Sequence, residues 1–436
     1  MSKNEINVIG AGLAGCEAAW QLAKVGFKVK LYEKKKKNKN EIQKLDTFCE
    51  LVCSNTLRSI STQNAVGILK QELKLLNSFI LECAYKTQIP SDDALAVDRE
   101  KFSQLVENKI RNNSNIEVIE DEFLDLNNEN VTLIATGPLC SEEFKFKIEQ
   151  LLGKQKLFYL DASAPIIEKE SIDFSKVYYQ SRHKNDKSYI CIPLNEEQFN
   201  NFHKELINAQ KVEVKDFEKE IFFRGCQPIE QLARVSKKIL LKSVMSPNGL
   251  TNSKGEIPFA VVQLRRDDAL DNLYNIVGFQ TNLTWKEQKR IFSMLPGLEN
   301  AIFRRFGVMH KNNFINSPKI LNKKLQMMRK KNIFFAGQIT GVEGYIESFA
   351  TGLVSAYGII SYLNQKKFIN FPEESIIGSL VNYITNPNIK KLKPMKANMG
   401  LVEIDKKLIF NNKFEKNEFI YKEAIKKIKY FINSNK

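Results

Sequence analysis

The chain has 436 residues, 43% hydrophobic and 27% charged, enough apolar material for a sizeable core and enough length for two or three domains. Seven scattered cysteines and three distant histidines, with no C-x-x-C pair, argue against a disulfide framework and against zinc. No uncharged apolar run reaches the about 20 residues that a membrane span needs, and the first residues do not read as a signal peptide, so a cytoplasmic protein with reduced thiols is expected. The 66 basic against 50 acidic residues give a net charge of +16, which either marks a polyanionic partner such as nucleic acid or reflects the Lys-, Asn- and Ile-rich bias that an AT-rich genome gives its proteins.

In chain order, Ile6–Ile9 reads as a strand, Ala14–Val25 as a helix and Val29–Glu33 as a second strand, followed by a polar loop from Lys34 to Asn40. Asn64 to Leu81 has one helical apolar spacing. Glu117–Ile119 and Val131–Ala135 read as strands. Between about 166 and 309 the pattern changes to short β segments among helices, including Tyr189–Leu194, Ala260–Leu264 and Tyr274–Gly278. Ile333–Ala336 is another strand, leading through a glycine-rich turn into a long helix, Ile346–Leu363. Beyond 370 the sequence reads as a basic helical tail ending in Lys422, Lys426, Lys427 and Lys429. Glycine turns of the nucleotide-binding kind lie near both ends of the chain and not in its middle. The predicted fold is therefore α/β: a doubly wound, Rossmann-like domain from residues 1–165 and 310–436, with an α+β domain inserted at 166–309.

Gly10-Ala-Gly12-Leu-Ala-Gly15 follows the first strand and opens the first helix. Gly10 permits the tight turn, Gly12 lets backbone approach a pyrophosphate, and Gly15 lets helix and strand pack closely. The helix N-terminus offers free N–H groups to phosphate, and Glu33 ends the second strand where ribose hydroxyls would lie. Ala135-Thr136-Gly137 and Ala336-Gly337-Gln338, the latter continuing through Gly341 and Gly344, end two further strands. Together the three turns favour FAD over NAD, and they nominate Gly10, Gly12, Gly15, Glu33, Thr136, Gly137, Gly337, Gln338, Gly341 and Gly344 as its contacts.

Over nearly its full length the chain resembles the folate- and FAD-dependent RNA uracil-5-methyltransferases. The resemblance is carried by Glu50-Leu-Val-Cys53-Ser-Asn-Thr-Leu-Arg58-Ser, Asn64-Ala-Val-Gly-Ile-Leu-Lys and Ala94-Leu-Ala-Val-Asp98-Arg99. Further matches are Phe259-Ala-Val-Val-Gln-Leu-Arg265, Tyr274-Asn-Ile-Val-Gly-Phe-Gln280-Thr, Gly307-Val-Met-His310 and Ala336-Gly-Gln-Ile-Thr-Gly-Val-Glu343-Gly-Tyr345-Ile-Glu347-Ser. It implies that 5,10-methylenetetrahydrofolate supplies one carbon to C5 of a uridine in RNA, with FAD recharged by NAD(P)H. The family default is tRNA; the same reaction on 23S rRNA, or an FAD-containing RNA-binding relative without turnover, are the alternatives. A related flavoprotein that modifies wobble uridines with a GTPase partner is disfavoured by this chain's length and its Cys53 motif. No membrane and no obligate protein partner are expected.

Uracil C5 is a poor nucleophile until a thiolate adds to C6, so the chemistry calls for an activated thiol, a base and a reductant. The resemblance implies Cys53 and Cys226 as the functional pair, without deciding which adds to uracil. Cys16, on the fingerprint helix, is read as packing. Arg58, Arg224, Arg265, Glu343 and Tyr345 are candidate substrate contacts, with a solvated arginine the alternative for Arg265. For Glu343, Tyr345 and Glu347 the alternative to ligand contact is capping or packing of the long helix. Gln280 and His310 match the family as well, and His310 is open to a core role. The chain departs from the family's usual pattern at Arg224, where an acid is usual, at Leu241–Leu250, at Asp92-Asp93, where two glycines are usual, and at Glu41–Asp46.

Overall fold

The computed structural model describes residues 5–39, 43–138, 140–153, 156–182, 187–212, 227–252, 255–405 and 407–434, with only the backbone considered at 156–161 and 310–311. Arg224 and Cys226 lie outside the described residues, as does part of the Glu41–Asp46 segment.

A five-stranded sheet runs in the order Ile333–Phe335, Val131–Ile134, Glu5–Ile9, Lys28–Tyr32, Ile116–Ile119, and all of its neighbours are parallel. Inner strands of a parallel sheet are covered on both faces and tend to be apolar throughout, while toward one edge Lys28–Tyr32 alternates and Ile116–Ile119 is only partly buried. In the central strand Ile6, Asn7, Val8 and Ile9 are all buried. The fingerprint helix (Leu13–Lys24) and the long helix (Tyr345–Leu363) cross closely over this sheet. Small residues make that approach possible: a Cβ at Gly352 would stand 2.3 Å from the Ala14 carbonyl oxygen. The long helix is the one described helix long and apolar enough to cross a membrane, and 78% of that stretch is buried in the fold, where it serves as a core helix.

A second, six-stranded antiparallel sheet has the order Tyr178–Tyr179, Tyr189–Leu194, Ala260–Arg266, Leu273–Ile276, Ile166–Glu168, Phe303–Arg305. One hydrophobic core gathers residues from Ile6 to Leu152 and from Phe314 to Phe431, and another gathers residues from Ile167 to Ala301. The strands Lys156–Ala162 and Met309–Ile315 pair antiparallel where the chain passes between the two.

Two sequence expectations need correction. The single helix over Asn64–Leu81 is two helices, Ala65–Leu75 and Phe79–Lys86. The break has a cause: Asn77 takes a left-handed φ of 57°, and the buried Glu17 carboxylate accepts from the Phe79 and Ile80 amides at 3.2 and 2.9 Å, capping a new helix start. The tail is likewise not continuous. Helices Ile376–Ile384 and Lys413–Ser434 are separated by a segment that has turns, a short 3-10 turn at Met399–Leu401, and Pro387 and Pro394, residues that cannot donate to a helical ladder.

Candidate functional site

A cleft of about 420 Å³ opens between the C-terminal edge of the parallel sheet and one face of the antiparallel sheet. It is lined by Gly10, Gly12, Glu33, Cys53, Arg58, Thr136, Gly137, Arg265, Gln280, Gly337, Gln338, Glu343, Gly344 and Tyr345. Gly15, Gly341 and Glu347 stand behind its walls.

The three fingerprint glycines are needed for three different reasons. Gly10 has φ +100°, and a Cβ there would fall 2.7 Å from the Ala135 oxygen. A Cβ at Gly15 would fall 1.9 Å from the Gly10 oxygen, so this glycine sets the helix–strand distance. At Gly12 nothing lies within 4 Å of an added Cβ; the backbone there faces open cleft. Gly12 is also the N-cap of the fingerprint helix, which has no side-chain cap and no acid in its first turn, leaving the helix start available to an anion. Glu33 accepts from the Ala11 amide at 2.8 Å and from the Lys35 amide at 2.9 Å, which fixes its carboxylate at the turn. Among the described residues Thr136 Oγ1 and Asn275 Nδ2 are buried with no hydrogen-bond partner, and both residues line the cleft. A glycine cradle, an uncapped helix start and two orphaned polar atoms fit a dinucleotide with polar ring edges.

The other wall is built from side chains. Cys53 is half-buried in a turn whose amides, of Cys53 and Ser54, donate to Tyr345 Oη at 2.8 and 3.3 Å. Desolvation, with the neighbouring Cys53, raises the Tyr345 phenol above its ordinary value, so Tyr345 stays protonated there. Arg265 is only 7% exposed, which rules out a solvated role. Its Nη2 donates to Ser54 Oγ at 2.7 Å and its Nε to Asn55 Oδ1 at 3.2 Å, while Asn55 Nδ2 donates to the Arg266 oxygen at 3.0 Å. Arg265 thus ties the Cys53 turn to the antiparallel sheet.

A second tie lies beneath it. The Arg99 guanidinium pairs with Asp267, Nε to Oδ2 at 2.9 Å and Nη2 to Oδ1 at 3.0 Å, and donates from Nη1 to the Leu51 oxygen. The neighbouring Asp98 caps its own helix through Lys101 N at 3.0 Å and accepts from Ala269 N at 3.0 Å. Arg305 completes the cationic surroundings of Cys53. Burial and the nearby Arg99 cation push its guanidinium below the usual value, with Glu50, Tyr345 and Cys53 opposing them.

Arg58, at a left-handed φ of 63°, pairs with Glu347, which is 0% exposed. Glu347 also accepts from the Ala397 amide at 2.7 Å. A Cβ at Gly344 would meet the Glu347 carboxylate at 2.4 Å, so that glycine makes room for the pair. Glu343, 4% exposed, accepts from Gln338 Nε2 at 2.9 Å. Burial, reinforced by Glu347 and opposed by Lys396 and Arg58, raises its carboxyl to about 7. Beside them Lys70 donates to the Ser59 oxygen at 2.8 Å, and burial lowers its ammonium to about 7.

Three remaining expectations can be placed. Gln280 lines the cleft and its carbonyl accepts from Ile229 N at 2.7 Å. His310 sits on the strand Met309–Ile315. Cys16 is fully buried on the fingerprint helix, its thiol raised well above the ordinary value by burial and by Cys49. Asp92, where the resembled family has glycine, keeps a positive φ of 31°, so the substitution retains a glycine-like backbone at a cost in strain. The partners Ser54, Asn55, Asp267, Asn275, Lys70 and Lys396 were not read from sequence. Ser54 and Asn55 adjoin Cys53 and could have been found; the others come from remote parts of the chain.

The family model for glucose inhibited division protein A matches residues 5–367. The methylenetetrahydrofolate–tRNA-(uracil-5-)-methyltransferase TrmFO 1 of Mesoplasma florum is 56% identical over 433 residues, covering 99% of this chain and 97% of its own. TrmFO 2 of Mycoplasma mycoides subsp. mycoides SC is 58% identical with 94% of each covered, and TrmFO of Bacillus subtilis is 48% identical with 98% of each covered. Aquifex aeolicus GidA in its form II crystal aligns with a TM-score of 0.71 at 16% identity, over 99% of this chain and 74% of that one, which shows the shared fold. A glycine cradle for a dinucleotide, a cysteine turn clamped across the cleft and this extent of identity lead to one conclusion: the chain belongs to the glucose inhibited division protein A family and, within it, to the TrmFO methyltransferases.

Proposed function

We infer that this chain transfers the one-carbon unit of 5,10-methylenetetrahydrofolate to C5 of a uridine in tRNA, yielding 5-methyluridine, with FAD as cofactor and NAD(P)H as the source of electrons. The observation that carries this reading is that Cys53 and the FAD-type cradle face the same cleft. The relatives named above are tRNA methyltransferases, and none of them supports the ribosomal alternative.

FAD, when bound, supplies the reducing equivalents that turn the methylene carbon into methyl. Gly10, Gly12 and the start of the fingerprint helix would hold its pyrophosphate, Glu33 its ribose, and Thr136 Oγ1 and Gln338 polar groups further along. Cys53 and Cys226 are the proposed thiol pair. One thiolate adds to uracil C6 and so makes C5 nucleophilic, and C5 bonds to the methylene carbon as one of its C–N bonds to the folate opens. A base removes the C5 proton as the second C–N bond breaks and tetrahydrofolate leaves. Once a hydride equivalent has reduced that carbon to methyl, the thiolate leaves C6. The guanidinium groups of Arg99 and Arg305 interact electrostatically with Cys53, and a thiol in such a role is served by cationic neighbours. Tyr345 and Arg265 hold the turn that carries this thiol. The domain division, 1–165 with 310–436 around an insertion at 166–309, belongs to the same reading and is supported by the two separate cores.

The test is transfer of label from methylenetetrahydrofolate, with FAD and NAD(P)H, into tRNA and large-subunit rRNA offered separately. Label in tRNA is expected. Label confined to rRNA would replace the substrate, and label in neither, from flavin-loaded protein that binds RNA, would overturn the reading.

A further inference from the structure

Not all lysine-rich parts of the surface are equivalent. On the tail helix, Lys422 pairs with Glu418 at 2.8 Å, Lys426 with Glu423 at 3.3 Å and Lys427 with Glu374 at 2.6 Å. These charges are largely neutralised where they stand. The segment that follows the helix Ile376–Ile384 is different. Lys390, Lys391 and Lys393 are exposed, and no ion pair is found for them among the described residues. The only acids between residues 364 and 401 are Glu373 and Glu374, which pair with Lys323 and Lys427.

This segment is also fixed in place. Asn316 Nδ2 donates to the Lys390 oxygen at 3.2 Å and its Oδ1 accepts from Leu392 N at 3.2 Å. Tyr383 Oη donates to the Lys393 oxygen at 3.2 Å. Met395 exchanges backbone bonds with the glycine turn, its amide donating to Gly341 O at 3.0 Å and its oxygen accepting from Glu343 N at 2.9 Å. Ala397 N is held by Glu347, and Leu392 packs so closely on Gly341 that a Cβ there would come within 2.3 Å. The strap therefore ends inside the cleft, where Lys396 joins the lining beside Glu343. From Lys390 to Lys396 an extended backbone spans at most about 20 Å. A pre-ordered row of uncompensated cations leading to a reaction cleft loses little conformational freedom on meeting a polyanion.

We propose that the strap Lys390–Lys396 is the track on which the RNA substrate's phosphate backbone is led into the cleft, with Lys390, Lys391 and Lys393 making the phosphate contacts. The inference rests on the RNA-methyltransferase reading and assigns the docking surface that reading lacks. Phosphate contacts release counterions, so each lysine contributes about 0.7–0.9 to the slope of log affinity against log salt. The experiment compares flavin-loaded full-length protein with a K390Q/K391Q/K393Q variant and with a K422Q/K426Q/K427Q variant of the tail helix, measuring tRNA affinity across a salt series and steady-state methyl transfer. The strap variant is expected to lose about two units of slope and to raise KM for tRNA roughly ten- to hundred-fold at physiological salt, with kcat and flavin content unchanged. The tail variant is expected to behave like the unaltered protein. An unchanged slope and KM in the strap variant, or an equal loss in the tail variant, overturns the track while leaving the methyltransferase reading standing. Failure of the unaltered protein to methylate RNA strikes that reading instead, and the binding slopes still decide the track.

Discussion

The two walls of the cleft are made of different materials. The nucleotide wall is backbone: Gly10, Gly12 and Gly15, an uncapped helix start, and Gly337 packed against Ala14. The opposite wall is a lattice of charged side chains, Arg99 on Asp267, Arg58 on Glu347, Arg265 on the Cys53 turn, with Glu343 and Lys70 enclosed. Backbone offers amides without any charge to desolvate, which suits a wall that only has to hold a cofactor. Buried charge is costly unless paired, and here it surrounds the turn that carries Cys53, the thiol proposed above for the reaction. The difference predicts that the first wall fails by steric exclusion and the second by loss of a partner.

The largest effect is expected at Gly15. In Gly15→Val the Cβ would overlap the Gly10 oxygen, from which it would stand 1.9 Å, and only backbone could move. Loss of stability above about 4 kcal/mol, seen as little folded, flavin-bearing protein, is expected. If that variant purified yellow with an unchanged melting temperature, the backbone-wall account would be wrong. Next comes Asp267→Asn, which leaves Arg99 buried without its counter-charge; about 3–5 kcal/mol is expected in chemical denaturation. Replacing both partners in Arg99→Met/Asp267→Leu should recover much of that stability while leaving turnover low, which separates the cost of an orphaned charge from the value of the pair.

The same difference explains what could be read from the sequence. The glycine wall is local: strand, Gly10 to Gly15, helix, strand and Glu33 lie within one continuous stretch, and each glycine's role followed from its spacing. The charged wall is assembled from distant segments, Arg99 with Asp267 and Arg58 with Glu347, and nothing in the spacing of one announces the other. The helix expected over Asn64–Leu81 failed for the same reason, because the carboxylate that splits it belongs to Glu17. Resemblance could nominate Arg265 and Tyr345 as site residues. It could not say that both bind the Cys53 turn.

Two enclosed groups give the charged wall a pH signature. The Glu343 carboxyl is raised from 4.5 to about 7, so the folded state binds its proton more tightly than the unfolded state. Its contribution is complete below about pH 4.5 and is lost as pH rises through 7. Lys70 is lowered from 10.5 to about 7, so its contribution is present above about pH 10.5 and is lost as pH falls through 7. Near neutral pH the wall carries both penalties. Glu343→Gln should therefore gain up to about 3 kcal/mol more stability at pH 8 than at pH 4.5, and Lys70→Met should gain most below about pH 7, the gain shrinking as pH rises toward 10.5. Parallel stability–pH curves for variants and unaltered protein would remove these two groups from the account.

The smallest effect separates positioning from binding. Arg265→Lys keeps a cation on the antiparallel sheet but cannot make the two bonds, to Ser54 Oγ and Asn55 Oδ1, that hold the Cys53 turn. The thiol would remain in the cleft but less well aimed, and displacement of a reacting group by a fraction of an ångström already costs rate. A fall in kcat of about ten-fold is expected, near 1.4 kcal/mol of barrier, with flavin affinity unchanged because the nucleotide wall is untouched. If KM for RNA rose instead and kcat held, Arg265 would be a substrate contact rather than a clamp. If flavin affinity fell with kcat, the two walls would not be independent, and the division between a backbone wall that binds and a charged wall that aims would have to be given up.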